Sequence, residues 1–297
     1  MPAYRHLAMK TLALAAFATA PFVAQTAAAQ SESAPPESAP MPDPQSGADT
    51  VTVGIAAGYL PDYEGSNNYR FAAGPAATGS VHGFAFQVIG NRASVDLIPN
   101  KPGPNWDIQL GPVGVINFNR TSGRNIDDER VRALPDPKTA IELGGYVGIG
   151  KTGVITSPYD KLSVSVSYRH DVSNVHDSGI WTPSVNYFTP LSMKAAAGLF
   201  VSAEHVERGY GRTYFDVTPT DSIASGLPVY RADGGWKSWT AGMIGTYSLT
   251  GNLLHGFKLI AGGTYKRMLN DYGDSPIVSE AGSRDQWLGA VGIAYTF

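Results

Sequence analysis

Residues 161–170 read KLSVSVSYRH, and this stretch decides the fold. Leu162, Val164, Val166 and Tyr168 alternate with Lys161, Ser163, Ser165, Ser167 and Arg169. Alternation with period two marks a strand with one apolar and one polar face. The same period recurs along the chain. In 287–297, Trp287, Gly289, Val291, Ile293, Tyr295 and Phe297 share one parity, and the other carries mainly small residues. In 106–118, Trp106, Ile108, Leu110, Ile116 and Phe118 oppose Asp107, Gln109 and Asn117. In 194–205, Ala195, Ala197, Leu199, Val201 and Ala203 oppose Lys194, Ser202 and Glu204. Segments of about ten residues with this period match strands that cross a bilayer at a tilt.

Aromatic side chains strengthen that reading. Tyr59, Trp106, Phe118, Tyr168, Trp181, Tyr187, Tyr247, Tyr265 and Trp287 lie on the apolar parity, mostly near segment ends. Rings that are apolar in body and polar at the tip settle at the headgroup level, so membrane barrels carry two aromatic girdles. The predicted fold is all-β: a single-chain antiparallel transmembrane β-barrel. Its strands are expected at 51–59, 71–80, 83–89, 92–98, 106–118, 140–151, 161–171, 179–188, 193–205, 236–249, 254–268 and 286–297. Twelve strands are favoured. Ten is the alternative, because 83–89 and 92–98 meet at Gly90-Asn91 and strand counts in such barrels are even. With the amino terminus in the periplasm, the long connections 119–139, 206–235 and 269–285 all face outward.

Composition agrees. The chain has 297 residues, a formal charge of −3, 34 glycines and only 16% charged residues. A near-neutral chain lacks the basic footprint that nucleic acid requires. Without cysteine there is no disulfide framework, thiolate metal site or thiol nucleophile. Residues 1–29 are expected to be a signal peptide: Arg5 and Lys10, an apolar run over 11–23, then Ala27-Ala28-Ala29 before Gln30. The run is too short to span a bilayer. Residues 30–49, rich in Pro, Ser, Ala and Glu, are expected to be a disordered tail. The barrel domain is then 50–297.

The inward parity carries charge. Arg92, Lys161, Arg169, Lys194, Lys258 and Lys266 are expected in the lumen with Asp96, Asp107, Glu142 and Glu204. The plain reading is a structural ion-pair network filling a narrow barrel. The alternative is a small-solute channel that favours anions, since bases outnumber acids.

Five motifs together resemble one family. They are Gly58-Tyr59-Leu60-Pro61-Asp62-Tyr63-Glu64-Gly65-Ser66, Gly111-Pro112, Tyr214-Phe215-Asp216-Val217, Ser275-Pro276-Ile277-Val278 and the closing Tyr295-Thr296-Phe297. The chain resembles the MipA/OmpV family of outer-membrane proteins, the MltA-interacting proteins, over about 51–297. Asp216 departs from the glycine the family more often has in that run. The resemblance implies the outer membrane of a Gram-negative bacterium, lipid as surroundings, and handling by the barrel-assembly machinery through Tyr295 and Phe297. It also implies scaffolding between a lytic murein transglycosylase and a murein synthase. Adhesion through the long outer loops is a further alternative. By its residues alone, the turn Pro61, Asp62, Tyr63, Glu64, Gly65 is a tight polar turn that needs no ligand.

No motif calls for a cofactor or a metal. His170-Asp171 and His176-Asp177 sit near Ser173 and Ser178, which are the residue types of nucleophilic catalysis. No G-x-S-x-G elbow accompanies them, and the chain is read as a non-enzyme.

Overall fold

The computed structural model describes residues 49–99 and 105–297. The expected signal peptide and nearly all of the expected tail lie outside the described residues. Twelve strands form one closed antiparallel barrel in which each strand pairs with its chain neighbours and the first closes on the last. They are β1 (Thr50–Pro61), β2 (Tyr69–Val81), β3 (Phe84–Ile89), β4 (Arg92–Val95), β5 (Trp106–Asn117), β6 (Ala140–Thr152), β7 (Lys161–Asp171), β8 (Gly179–Pro190), β9 (Ala195–Val206), β10 (Gly235–Ser248), β11 (Gly256–Met268) and β12 (Asp285–Thr296).

Turn chemistry decides twelve over ten. Gly90, at φ 56°, turns the chain between β3 and β4. His82 and Gly83, at φ 54° and 85°, make the two-residue turn between β2 and β3. Positive φ at both central positions suits the right-handed twist of a hairpin. Closure leaves no free strand edge, which a lipid environment demands. β1 meets β12 from Thr52↔Thr296 to Tyr59↔Gly289.

Alternation sorts the faces. Along β12, Trp287, Val291 and Ile293 are exposed on the outer wall while Gln286 and Ala294 are buried inside. Ile55, Phe71, Ile108, Leu110, Val147, Leu199 and Met243 continue the exposed apolar wall on other strands. Water would not tolerate so continuous an apolar surface, and hydrocarbon does. Rings rim the wall. Near the loop end, Tyr59 stacks on Tyr69 at 5.2 Å, Trp287 packs on Tyr265 at 4.8 Å, Tyr265 on Trp239 at 5.2 Å and Trp181 on Tyr168 at 4.7 Å. At the opposite end Tyr295 touches both Phe257 and Phe297 at 4.9 Å.

Two departures from strict alternation matter. β10 carries a bulge against β9, where Trp236 pairs with His205 and Ser238 with Glu204. Lys237 is the extra residue, and both Lys237 and Ser238 are buried. A bulge re-aims a side chain that simple parity would send outward. The second departure concerns Lys194. β9 begins at Ala195, and the Ser192 hydroxyl accepts from the backbone N–H groups of Lys194 and Ala195. Lys194 is thereby held in an exposed turn, not in the lumen.

The outer connections are not open loops. They contain α1 (Glu129–Arg132), α2 (Arg208–Tyr214), α3 (Pro219–Ser225), α4 (Asn270–Asp274) and α5 (Pro276–Ser279). These short helices pack over one end of the barrel as a lid with two apolar clusters. One joins Tyr210, Tyr214, Phe215, Tyr272 and Val278 to Ile180 and Val206 at the strand ends. The other joins Tyr63, Ile126, Val131, Leu227 and Ile277. Tyr230 packs against both.

Candidate functional site

The site lies where the lid meets the lumen, and the turn after β1 builds it. In that turn three consecutive side chains leave in three directions. Asp62 accepts from the backbone N–H of Asp127 at 2.9 Å, which ties the turn to the 118–139 connection. Tyr63 is fully buried and donates its hydroxyl to the Ala281 carbonyl at 2.9 Å, with the Ile277 carbonyl also in reach. Glu64 points down into the lumen. Gly65 makes this possible: its φ is 99°, and a Cβ there would sit 2.4 Å from a Val278 methyl. The turn is buried, because all three side chains are anchored by other connections.

Below it a continuous chain of charge crosses the lumen. Glu64 Oε1 lies 2.8 Å from Lys237 Nζ and also pairs with Lys266. Tyr210 donates to Glu64 Oε2 at 2.9 Å, and the Lys237 ammonium sits 4.4 Å from the centre of the Tyr210 ring. Lys237 reaches Glu204 Oε2 at 3.0 Å. Glu204 Oε1 accepts from Arg169 at 2.8 Å. Arg169 in turn donates to Glu142 at 2.5 Å and to the Thr182 hydroxyl at 3.0 Å. Glu142 also accepts from Asn117 at 3.0 Å and faces His176 Nε2 at 3.3 Å. Three carboxylates thus meet three cations across strands β6, β7, β9, β10 and β11.

Burial acts first on Glu64 and by itself would raise its carboxyl. Lys237 and Lys266 together outweigh that and hold it below the usual carboxylate range. At Tyr63 burial, aided by Asp62 and Asp128, outweighs the opposing Ser66 and Arg120 and pushes its phenol far up. Satisfied charge of this kind tolerates burial; a single unmatched member would not.

The other expected lumen charges divide. Lys161 pairs with Asp107 at 2.8 Å on the wall between β5 and β7. Asp96 is buried just past β4, where it accepts from the N–H groups of Ile98 and Leu110 at 3.0 and 3.2 Å. Lys258 is buried and donates to the Leu253 carbonyl in the turn before β11. Arg92 lies half-buried on β4. Tyr295 and Phe297 stand in the lower girdle, and the Phe297 N–H closes the seam on the Val51 carbonyl at 2.9 Å.

Sequence reasoning missed Lys237, Tyr210 and His176 for the network, and it placed Glu64 only in a turn. The signal for Lys237 was the glycine pair Gly234-Gly235 at the start of the strand, a common mark of irregular pairing. His176, Ser178 and Glu142 do form a hydrogen-bonded trio, with His176 Nδ1 2.7 Å from Ser178 Oγ. All three are buried, and α2 lies directly over them: a Cβ on Gly209 would be 2.1 Å from the His176 carbonyl oxygen. The trio anchors the 172–178 turn to the barrel wall.

A closed antiparallel barrel with an apolar, aromatic-rimmed wall is an outer-membrane protein of the Gram-negative type. The family model described as MltA-interacting protein MipA matches residues 53–297, and the chain belongs to that family. Comparison with curated proteins finds no match. Among solved structures, the chain is similar to the outer membrane channel DcaP of Acinetobacter baumannii, at 9% identity and a TM-score of 0.38, covering 84% of this chain and 96% of that one. It is also similar to OmpT from the outer membrane of Vibrio cholerae, at 8% identity and a TM-score of 0.35, covering 84% and 97%.

Proposed function

We propose that the protein is a closed barrel that serves as an envelope scaffold, holding a lytic murein transglycosylase, and through it a murein synthase, at the periplasmic side. The observation that carries this reading is the lumen itself, bridged by a charge-balanced network beneath a packed lid. The excess of bases that favoured an anion channel falls from two to one once Lys194 leaves the lumen and Lys237 and Glu64 join it. The family's name, MltA-interacting protein, supports a transglycosylase as partner.

The periplasmic end supplies a docking face. Three turns carry exposed apolar side chains: Ile155 and Tyr159, Leu191 and Met193, and Leu249 and Leu254. They are joined to one another. Thr156 shares hydrogen bonds with Tyr187 and Thr189 at the end of β8, and Leu253 N–H donates to the Met193 carbonyl at 3.0 Å. The result is a continuous ledge beside the peptidoglycan.

Photo-reactive residues at Ile155, Met193 and Leu254 should capture a murein transglycosylase in living cells. Capture of lipid alone from all three positions would overturn the scaffold. Purified barrel in a planar bilayer should give no conductance steps, and reproducible anion-selective steps would restore the channel reading.

A further inference from the structure

A cavity of about 130 Å³ lies inside the barrel on the wall formed by β9 to β12 and β1 to β3. Ala56, Ala76, Phe200, Ile244, Leu288 and Ala290 line it, and its surface is almost wholly apolar. It is bounded by polar layers at both ends. Above, Lys266 begins the charge network two residues beyond Thr264, the last lining residue of β11. Below, Thr52 and Thr296 share a hydrogen bond at 2.7 Å and Lys258 is tied to the Leu253 carbonyl. The facing wall is polar, with Ser165 bonded to Ser184 at 2.8 Å.

The hollow is built into the strand pairing. A Cβ on Gly54 would meet the Ile293 carbonyl oxygen at 2.6 Å, and one on Gly292 would meet the Ile55 carbonyl oxygen at 2.6 Å. Larger residues at these positions cannot be placed without parting β1 from β12, so this part of the wall stays thin. Phe200 folds over Gly242, where a Cβ would touch its ring at 2.2 Å, and forms one side of the cavity. An apolar cavity of about 150 Å³ in a protein interior stays dry and accepts a molecule the size of benzene. Water gains little here because its partners are missing.

We propose that this cavity is a binding site for a small apolar molecule of single-ring size, held in the lumen beneath the ion network. The probe is benzene, titrated into the intact barrel in lipid nanodiscs with isotopically labelled Ile and Leu methyl groups. Ile244 and Leu288 report the cavity, while Ile108 and Leu110, exposed on the outer wall and away from the cavity, report partitioning into lipid. The expected result is a saturable shift of Ile244 and Leu288 against a linear drift at Ile108 and Leu110. Ala290→Phe and Ala76→Leu, which fill the space, should each weaken the saturable component by about tenfold or more. Either variant suffices should the other fail to fold. A titration in which Ile244 and Leu288 drift linearly like the outer methyls overturns the site, as does undiminished saturation in a folded variant.

Discussion

Lys237 shows how much one residue can govern here. Its ammonium lies between Glu64 and Glu204, fully buried, with a Tyr210 ring against it. Lys237→Met leaves three carboxylates to two cations in a dry setting. Breaking a buried pair in this way costs about 3–5 kcal/mol, which should appear as a lower urea midpoint. Adding Glu64→Gln restores the balance and should recover part of the loss; a double variant no better than the single would contradict the network. Asp160 offers a second test at this scale. It closes the turn before β7, accepting from the N–H groups of Val154, Ile155 and Thr156 and from the Tyr187 hydroxyl at 2.8 Å. Burial opposes its charge, but these donors prevail and hold its carboxyl far below the usual range. A depressed folded-state pKa stabilises fully above the unfolded value of about 4, and that advantage is lost gradually as pH falls from there through the much lower folded-state value. Asp160→Asn should therefore destabilise at pH 7, and in paired unfolding curves the gap should begin to narrow below about pH 4 and persist in part at pH 3. Parity made Arg169, Glu142, Glu204 and Lys266 readable in advance. It could not reveal Lys237, because a bulge breaks the count, nor Glu64 and His176, because turns have no period.

At the scale of elements, the strands were legible because each buries one face and wets the other with lipid. That constraint repeats every two residues and survives weak local propensity. β3 and β4 are the shortest, and their separation rested on a glycine turn rather than on pattern. β12 provides the sharpest test of register. Val291 lies on the outer wall, while Ala290 and Gly292 face inward. Val291→Asp should cost about 2–4 kcal/mol if it sits near the bilayer midplane, and should deplete heat-modifiable protein from the outer membrane. Normal amounts would mean the register is wrong. Removing Phe297 deletes the N–H that closes on Val51 and the ring against Tyr295, and should slow assembly. Pulse-chase of folded barrel reads that out.

The whole molecule joins a barrel to a lid, and Tyr63 is the rivet between them. Its ring is central to one lid cluster, and its hydroxyl is bonded to the chain just past α5. Tyr63→Ala removes a buried aromatic, a loss of about 3–5 kcal/mol. The loss should fall on the lid, because the strand ladder does not depend on this ring. Protease added to intact cells should then cleave within 207–234 while the barrel stays heat-modifiable. Cleavage no faster than in the parent would mean the lid stands without it. The sequence by itself determined the period, the lipid face and the family and favoured twelve strands over ten, since a bilayer imposes one rule on every strand separately. Only the tertiary structure decided that the outer connections pack into a lid, that the buried turn after β1 sends Glu64 to Lys237 and Lys266, and that the lumen is bridged. Those outcomes depend on residues far apart in the chain, brought together by closure of the barrel and by one bulge, and no local pattern encodes such meetings.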